Sequence, residues 1–282
     1  MKNQKFKTRA LPEIASMWIG PDWSFIEQLC LKSFIDAGHK VTLYTLEDID
    51  LGIDGLNYDD ARTFLAPFQC VNRDDRRAHG VYADFFRLHL LRRTENVIWA
   101  DSDAICVKPF DFKSEYVFGN HAHGDEPLFI ANGVLGLPRS SLALQLAIEL
   151  SEERCPIPPF FNGGRRKRLK KMRSEGEDFG FLDFDWGVSG PRLIDHFLKQ
   201  TGEAVHVMDK DVLYPGPRPV RQPLLLPVSS TSDVEKTMTH SVHIYGKTKH
   251  FLKDKYNGVL PEGCYLDLLC KRHGIDPKEN PV

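Results

Sequence analysis

The chain has 282 residues, enough for one large α/β domain with decorations or two small ones. Its 41% hydrophobic content supplies a sizeable core, and 37 Lys plus Arg against 39 Asp plus Glu leave a net charge of −2. That balance gives no case for a nucleic-acid partner, and no apolar run approaches the about 20 residues of a membrane span.

Met1 to Arg9 is polar and basic with no apolar segment behind it, so no secretory signal is visible. Six cysteines at irregular spacings, with no C-x-x-C, read as reduced thiols. Both features suggest a cytoplasmic protein.

Ile14 to Gly20 reads as a first strand, followed by a helix capped by Ser24 and stopped at Gly38. Phe25, Ile26, Leu29, Cys30, Phe34 and Ile35 form its apolar face. Lys40 to Leu46 alternates as a second strand, which makes a βαβ opening. Neither a dinucleotide fingerprint nor a P-loop follows the first strand. Residues 50 to 75 are polar and irregular and suggest loops and short helices.

His79 to Arg93 returns to helical periodicity, with Asp84 and Arg87 one turn apart. The pair reads either as a solvated ion pair or as two groups reaching a crevice. In the second case the guanidinium suits phosphate and the carboxylate suits sugar hydroxyls. Val97-Ile98-Trp99-Ala100 then runs straight into Asp101-Ser102-Asp103. An apolar strand ending in two carboxylates places them at the sheet edge where open α/β folds bind ligands. Residues i and i+2 of extended chain face the same way, and two convergent carboxylates there call for Mg²⁺ or Mn²⁺. Two solvated aspartates in a turn are the plainer alternative.

Ala104 to Phe110 is a short apolar segment ended by Pro109; further strands are expected over Tyr116–Gly119 and Leu128–Leu137, and a helix over Pro138–Glu152. The last of these strands carries Asn132, whose amide is either a ligand contact or a structural group beside Gly133. Residues 154–182 form a basic insertion in which Arg165 to Lys171 packs six positive charges into seven residues. It reads as a solvated loop or exposed helix, or as a flap drawn to anionic lipid headgroups or phosphorylated glycans. No aromatics interleave with these charges, which argues against nucleic acid. Asp185 precedes a helix ending near Thr201, and Ala204–Met208 alternates like a strand. Residues 209–240 are Pro-rich loop, and 250–282 form a C-terminal tail. His243 alternates with Val242 and Ile244 on a late strand, followed by Gly246 and by Lys249 as a possible phosphate contact.

Taken together, Pro12-Glu13-Ile14 to Trp18, Tyr82 to Arg87, and Trp99 to Asp103 resemble the DXD-containing sugar transferases, glycosyltransferase family 32 and its relatives. The likeness covers residues 10 to 140 well and the remainder loosely. It implies one domain over 1–282 with a GT-A fold, a Rossmann-like mixed, mostly parallel sheet flanked by helices. It also implies a UDP- or GDP-sugar donor, a divalent metal and a glycan or glycolipid acceptor in polysaccharide biosynthesis, usually with retention of configuration. On that resemblance Asp84 holds sugar hydroxyls and Arg87 the sugar or diphosphate. Asp101 contacts ribose or metal, Asp103 ligates metal, Ser102 stands at the donor between them, and Trp18 lies near the base. His243-x-x-Gly246-x-x-Lys249 is similar to a motif of retaining galactosyltransferases, in which the His completes the metal shell and the Lys binds diphosphate. Asp185 is a candidate carboxylate near the anomeric carbon, with a helix cap or first-turn charge as its ordinary reading. Two other readings stand beside this one: an Asp-x-Asp phosphatase, and a module that binds a sugar nucleotide without turnover.

Overall fold

The computed structural model describes residues 10–68, 75–122, 124–216, 224–228 and 231–282. Strand β1 (Glu13–Trp18), helix α1 (Phe25–Asp36) and strand β2 (Val41–Thr45) form the opening βαβ unit. Ser24 caps α1 in a capping box, its hydroxyl accepting from Ile26 N while the Glu27 carboxylate accepts from Ser24 N. β3 (Leu56–Asp60) follows, then α2 (Arg76–Arg93), β4 (Val97–Ala100), β5 (Ala104–Cys106) and β6 (Val134–Leu135).

The main sheet has the order β3-β2-β1-β4-β6, parallel except for β6. The mixed α/β architecture with a mostly parallel central sheet flanked by helices is therefore as expected. The strand order runs outward from β1 to β3 and then restarts on the other side of β1 with β4. The crevice beyond the carboxyl ends of β1 and β4 is thus the switch point at which such sheets bind ligands.

Helix α2 covers one face, where Tyr82, Phe85 and Phe86 pack with Trp99 and Leu135. Each such aromatic, fully buried, contributes about 2–3 kcal/mol of transfer free energy. On the other side α1 packs Phe25, Ile26 and Leu29 against β5 and the antiparallel partner of β5, β7 (Ser241–His243). The remaining helices are α3 (Leu142–Ser151), α4 (Gly163–Ser174), α5 (Pro191–Thr201), α6 (Lys210–Leu213), α7 (Gly246–Tyr256) and α8 (Tyr265–His273). No helix among the described residues is long and apolar enough to cross a membrane. Cys30, Cys106, Cys155, Cys264 and Cys270 are free thiols, and Cys70 lies outside the described residues.

Three expectations are corrected. The span 50–75, expected to lack strands, contains the edge strand β3, four of whose five residues are exposed; residues 69–74 lie outside the described set. Of the strands expected at 116–119 and 128–137, only Val134–Leu135 forms a ladder. The rest meets through single bridges, Val117 to Gly136 and Asn120 to Ile130. Ala204–Met208 is a 3-10 turn over Glu203–His206, because Gly202 ends α5 at φ +81° and turns the chain tightly. Only Met208 bridges a strand-like neighbour, Gly119. Within the Pro-rich stretch, Pro217, Pro219 and Pro223 lie outside the described residues.

Candidate active site

Two short ladders bracket the Asp101-Ser102-Asp103 turn. β4 continues one residue past Ala100, where Asp101 N donates to Gly133 O at 2.7 Å. The chain then turns, Ala104 N donating to Asp101 O at 2.9 Å, and β5 leaves the main sheet to pair with β7. That register sets Ala104 opposite His243, and Ile244 N donates to Asp103 O at 2.9 Å. Convergence of Asp101 and Asp103 therefore comes from a turn rather than from the extended backbone that the i, i+2 spacing suggests. One ligand atom from each of Asp101, Asp103 and His243 lies within 4.8 Å of the others.

The electrostatics of this trio are strongly mutual. Burial raises the Asp101 carboxyl despite the Arg87 charge beside it. Burial acts the same way on Asp103, but His243 outweighs it and holds that carboxyl below its usual value. His243 is correspondingly raised: burial disfavours its charge, and Asp103, 3.0 Å from Nε2, more than compensates.

The trio fits a divalent cation. Two carboxylates and an imidazole are ligand types that divalent metal ions take. His243 Nδ1 is buried with no hydrogen-bond partner, an unmet polar group of the kind a ligand satisfies. Gly133 preserves the space beside the trio. A Cβ there would stand 2.8 Å from His243 Cε1 and 3.0 Å from Asp101 Oδ2.

Next to the trio, Arg87 of α2 is almost fully buried. Its Nη1 donates to Asn132 O at 2.6 Å and lies 3.0 Å from Asp101 Oδ1, while Nη2 lies 3.3 Å from Asp84 Oδ1. The guanidinium also lies over Trp99, whose Nε1 donates to Asp101 Oδ1 at 2.7 Å. Asp84 accepts from Asn132 Nδ2 at 2.9 Å and from the Ser189 hydroxyl at 2.7 Å. Three donors on a carboxylate with about four acceptor sites leave room for one more. Gly190 lets the chain pass so closely that a Cβ would fall 2.4 Å from Asp84 Oδ1. Asp84, Arg87, Asn132 and Asp101 thus form one continuous hydrogen-bonded group.

Trp18 ends β1 at the crevice, its indole nitrogen buried without a partner. Lys249 of α7 lies 5.4 Å from the Trp18 ring and pairs with Glu27 of α1, a carboxylate only 1% exposed. Burial pushes the Lys249 ammonium down to about 8. Ser102 sits in the acidic turn between the two carboxylates. Among the described residues Asp185 makes no hydrogen bond to this group: its exposed carboxylate pairs with Arg165 of α4 at 2.7 Å, and that hydrogen bond holds it below its usual value. Nor does it cap α5, whose N-cap is Gly190.

Sequence reasoning overlooks Trp99, Gly133, Ser189, Gly190 and Glu27 as parts of this site. Only Glu27 carries a local signal, the capping-box spacing Ser24-x-x-Glu27.

No family model and no curated protein matches the chain. Among solved structures it is similar to the PaToxG glycosyltransferase, at 15% identity over 70% of this chain and 72% of that one, with a TM-score of 0.44. The UDP-bound glycosyltransferase domain of the YGT toxin matches at 10% identity over 71% and 79%, with a TM-score of 0.40. Mouse xyloside xylosyltransferase 1, in its apo form, matches at 12% identity over 84% and 98%, with a TM-score of 0.42.

Proposed function

We propose that the chain is a metal-dependent hexosyltransferase of the GT-A type. It moves a sugar from a UDP- or GDP-sugar to a glycan or glycolipid acceptor, with retention of configuration. The observation that carries this reading is the convergence of Asp101, Asp103 and His243 at the switch point of a mostly parallel sheet.

Asp101, Asp103 and His243 hold Mn²⁺ or Mg²⁺, which when bound offsets the charge developing on a leaving diphosphate. Asp84 takes a sugar hydroxyl at its remaining acceptor position, oriented by Asn132 and Ser189. Arg87 fixes the separation between this sugar-side carboxylate and the metal-side Asp101. Ser102 meets the donor from the acidic turn, Trp18 lies near the base, and Lys249 exchanges Glu27 for a diphosphate oxygen. Retention needs no protein nucleophile when a leaving phosphate oxygen serves as base, and Asp185 is the candidate carboxylate for the anomeric side.

The test is incubation of the purified chain with a panel of UDP- and GDP-sugars and Mn²⁺, following nucleoside diphosphate release. One donor should be turned over, chelation should abolish turnover, and Asp103→Asn should lower it by about two orders of magnitude or more. A folded sample inert towards every donor rejects the reading. Metal-dependent nucleotide binding without turnover across acceptors would instead make the chain a binding module. Phosphate release from an aryl phosphate would favour the phosphatase.

A further inference from the structure

We propose that the outer face of helix α4, together with the side chain of Trp186, docks the protein onto an anionic lipid bilayer. The helix is anchored on one side and bare on the other. Asn162 caps it, Leu169 is buried beneath it, and Arg165 and Met172 lie on the same side, each one turn away. On the opposite side Lys167, Lys170 and Lys171 point to solvent, flanked by exposed Arg166 and Arg168. Among the described residues no carboxylate pairs with Arg166, Lys167, Arg168 or Lys170, and Lys171 has only an exposed contact with Glu175 at 3.6 Å. A chain with a net charge of −2 thus concentrates unpaired positive charge on one helix face.

Arg165, the one cation of the run that turns inward, ties helix α4 to the segment that carries an exposed aromatic. Its guanidinium sits 3.9 Å from the Phe161 ring centroid and 2.7 Å from the Asp185 carboxylate. The next residue is Trp186, whose side chain is held at the surface in the following turn and is 87% exposed. It is the most exposed large hydrophobic side chain among the described residues. An indole has an apolar body and one polar N–H, which suits the boundary between headgroups and acyl chains. Basic side chains and such a ring would together supply the two attractions that interfacial binding combines, charge and apolar burial. A single-stranded nucleic acid would instead call for several aromatics spaced along the basic groove, and α4 has none.

The experiment needs no turnover, so it succeeds or fails independently of the transferase reading. The full chain is mixed with vesicles of phosphatidylcholine alone, and with vesicles containing phosphatidylglycerol, at low and high salt. Sedimentation and tryptophan emission are followed. The protein should sediment with the anionic vesicles only, lose binding at high salt, and shift its emission to the blue on binding. Trp186→Phe should remove the emission shift. Each Lys or Arg near an anionic leaflet is worth roughly fivefold in partition, so Lys167→Glu with Lys170→Glu should weaken binding by more than about tenfold. Both changes lie on exposed positions, and unchanged thermal midpoints confirm the fold. Four results overturn the proposal: no sedimentation, equal binding to neutral vesicles, binding undiminished by the double reversal, or an emission shift that persists without Trp186. Equally tight retention of the chain by a soluble polyanion such as heparin or DNA, with no emission shift on vesicles, also overturns it.

Discussion

Arg87 Nη1 lies 3.0 Å from Asp101 Oδ1, and through this contact helix α2 grips the acidic turn at the end of β4. The other guanidinium nitrogen reaches Asp84 on its own helix. One planar fork therefore spans a carboxylate held by α2 and a carboxylate of the metal trio, and fixes the gap between them.

Removing that fork leaves two carboxylates short of a partner in a part-buried setting. Arg87→Ala should cost about 3 kcal/mol or more, read from the urea midpoint at unchanged m. Arg87→Lys keeps the charge but cannot bridge both groups, so it should recover part of the stability and little of any activity. A loss under about 1 kcal/mol for the alanine variant would show that the fork is not a structural tie.

Gly133 and Gly190 press backbone against functional side chains, and neither tolerates a methyl group. In Gly133→Ala the Cβ would meet His243 Cε1 at 2.8 Å and Asp101 Oδ2 at 3.0 Å. Displacing two of three ligands should weaken Mn²⁺ binding about tenfold or more by calorimetry, with about 1–3 kcal/mol lost from the fold. Gly190→Ala would drive its Cβ against Asp84 and leave the trio in place. Donor turnover should fall while Mn²⁺ affinity holds. Equal loss of metal binding in both variants would contradict the division of the site into a metal side and a sugar side.

These two glycines also show where sequence reading stops. The acidic pair stands out locally because four apolar residues announce the strand that carries it. Asp84 and Arg87, by contrast, read equally as a solvated ion pair and His243 as a core histidine, and only the motif resemblance draws these three to Asp101 and Asp103. The closeness of Gly133 to His243 is a product of two ladders, β4–β6 and β5–β7, that bring together residues more than a hundred positions apart. No local pattern encodes it. β3 escapes for a different reason. As an edge strand with only Leu56 half-buried, it shows neither apolar alternation nor an apolar run, and β2 supplies the ladder that makes it a strand.

Away from the site, Glu203 governs an acid-sensitive joint. Its carboxylate accepts from Ala143 N at 2.8 Å and from the hydroxyl of Ser141, the N-cap of α3. Burial alone would raise this carboxyl, but these hydrogen bonds more than offset it, so the folded protein titrates it below the unfolded value of 4.5. The stability it contributes is full above 4.5 and is lost as pH falls through the lower folded value. Glu203→Gln should therefore lower the urea midpoint at neutral pH and show a shallower fall below pH 4.5 than the parent protein. Identical acid slopes for the two proteins would remove Glu203 from this role.

Lys249 has two claims on it, and they separate by experiment. In the fold it is the ion-pair partner of Glu27, a carboxylate that otherwise accepts, among the described residues, from the amide and hydroxyl of Ser24. Lys249→Met should leave that buried charge short of a partner and cost roughly 2 kcal/mol. Adding Glu27→Gln removes the stranded charge, so the double variant should regain most of the lost stability. If Lys249 served only the fold, donor turnover would return with stability. If its ammonium moves to the donor diphosphate, as proposed, turnover stays low in the double variant while the urea midpoint recovers. Restored kcat and KM in the stable double variant would leave Lys249 as scaffold alone and confine diphosphate recognition to the groups around the trio.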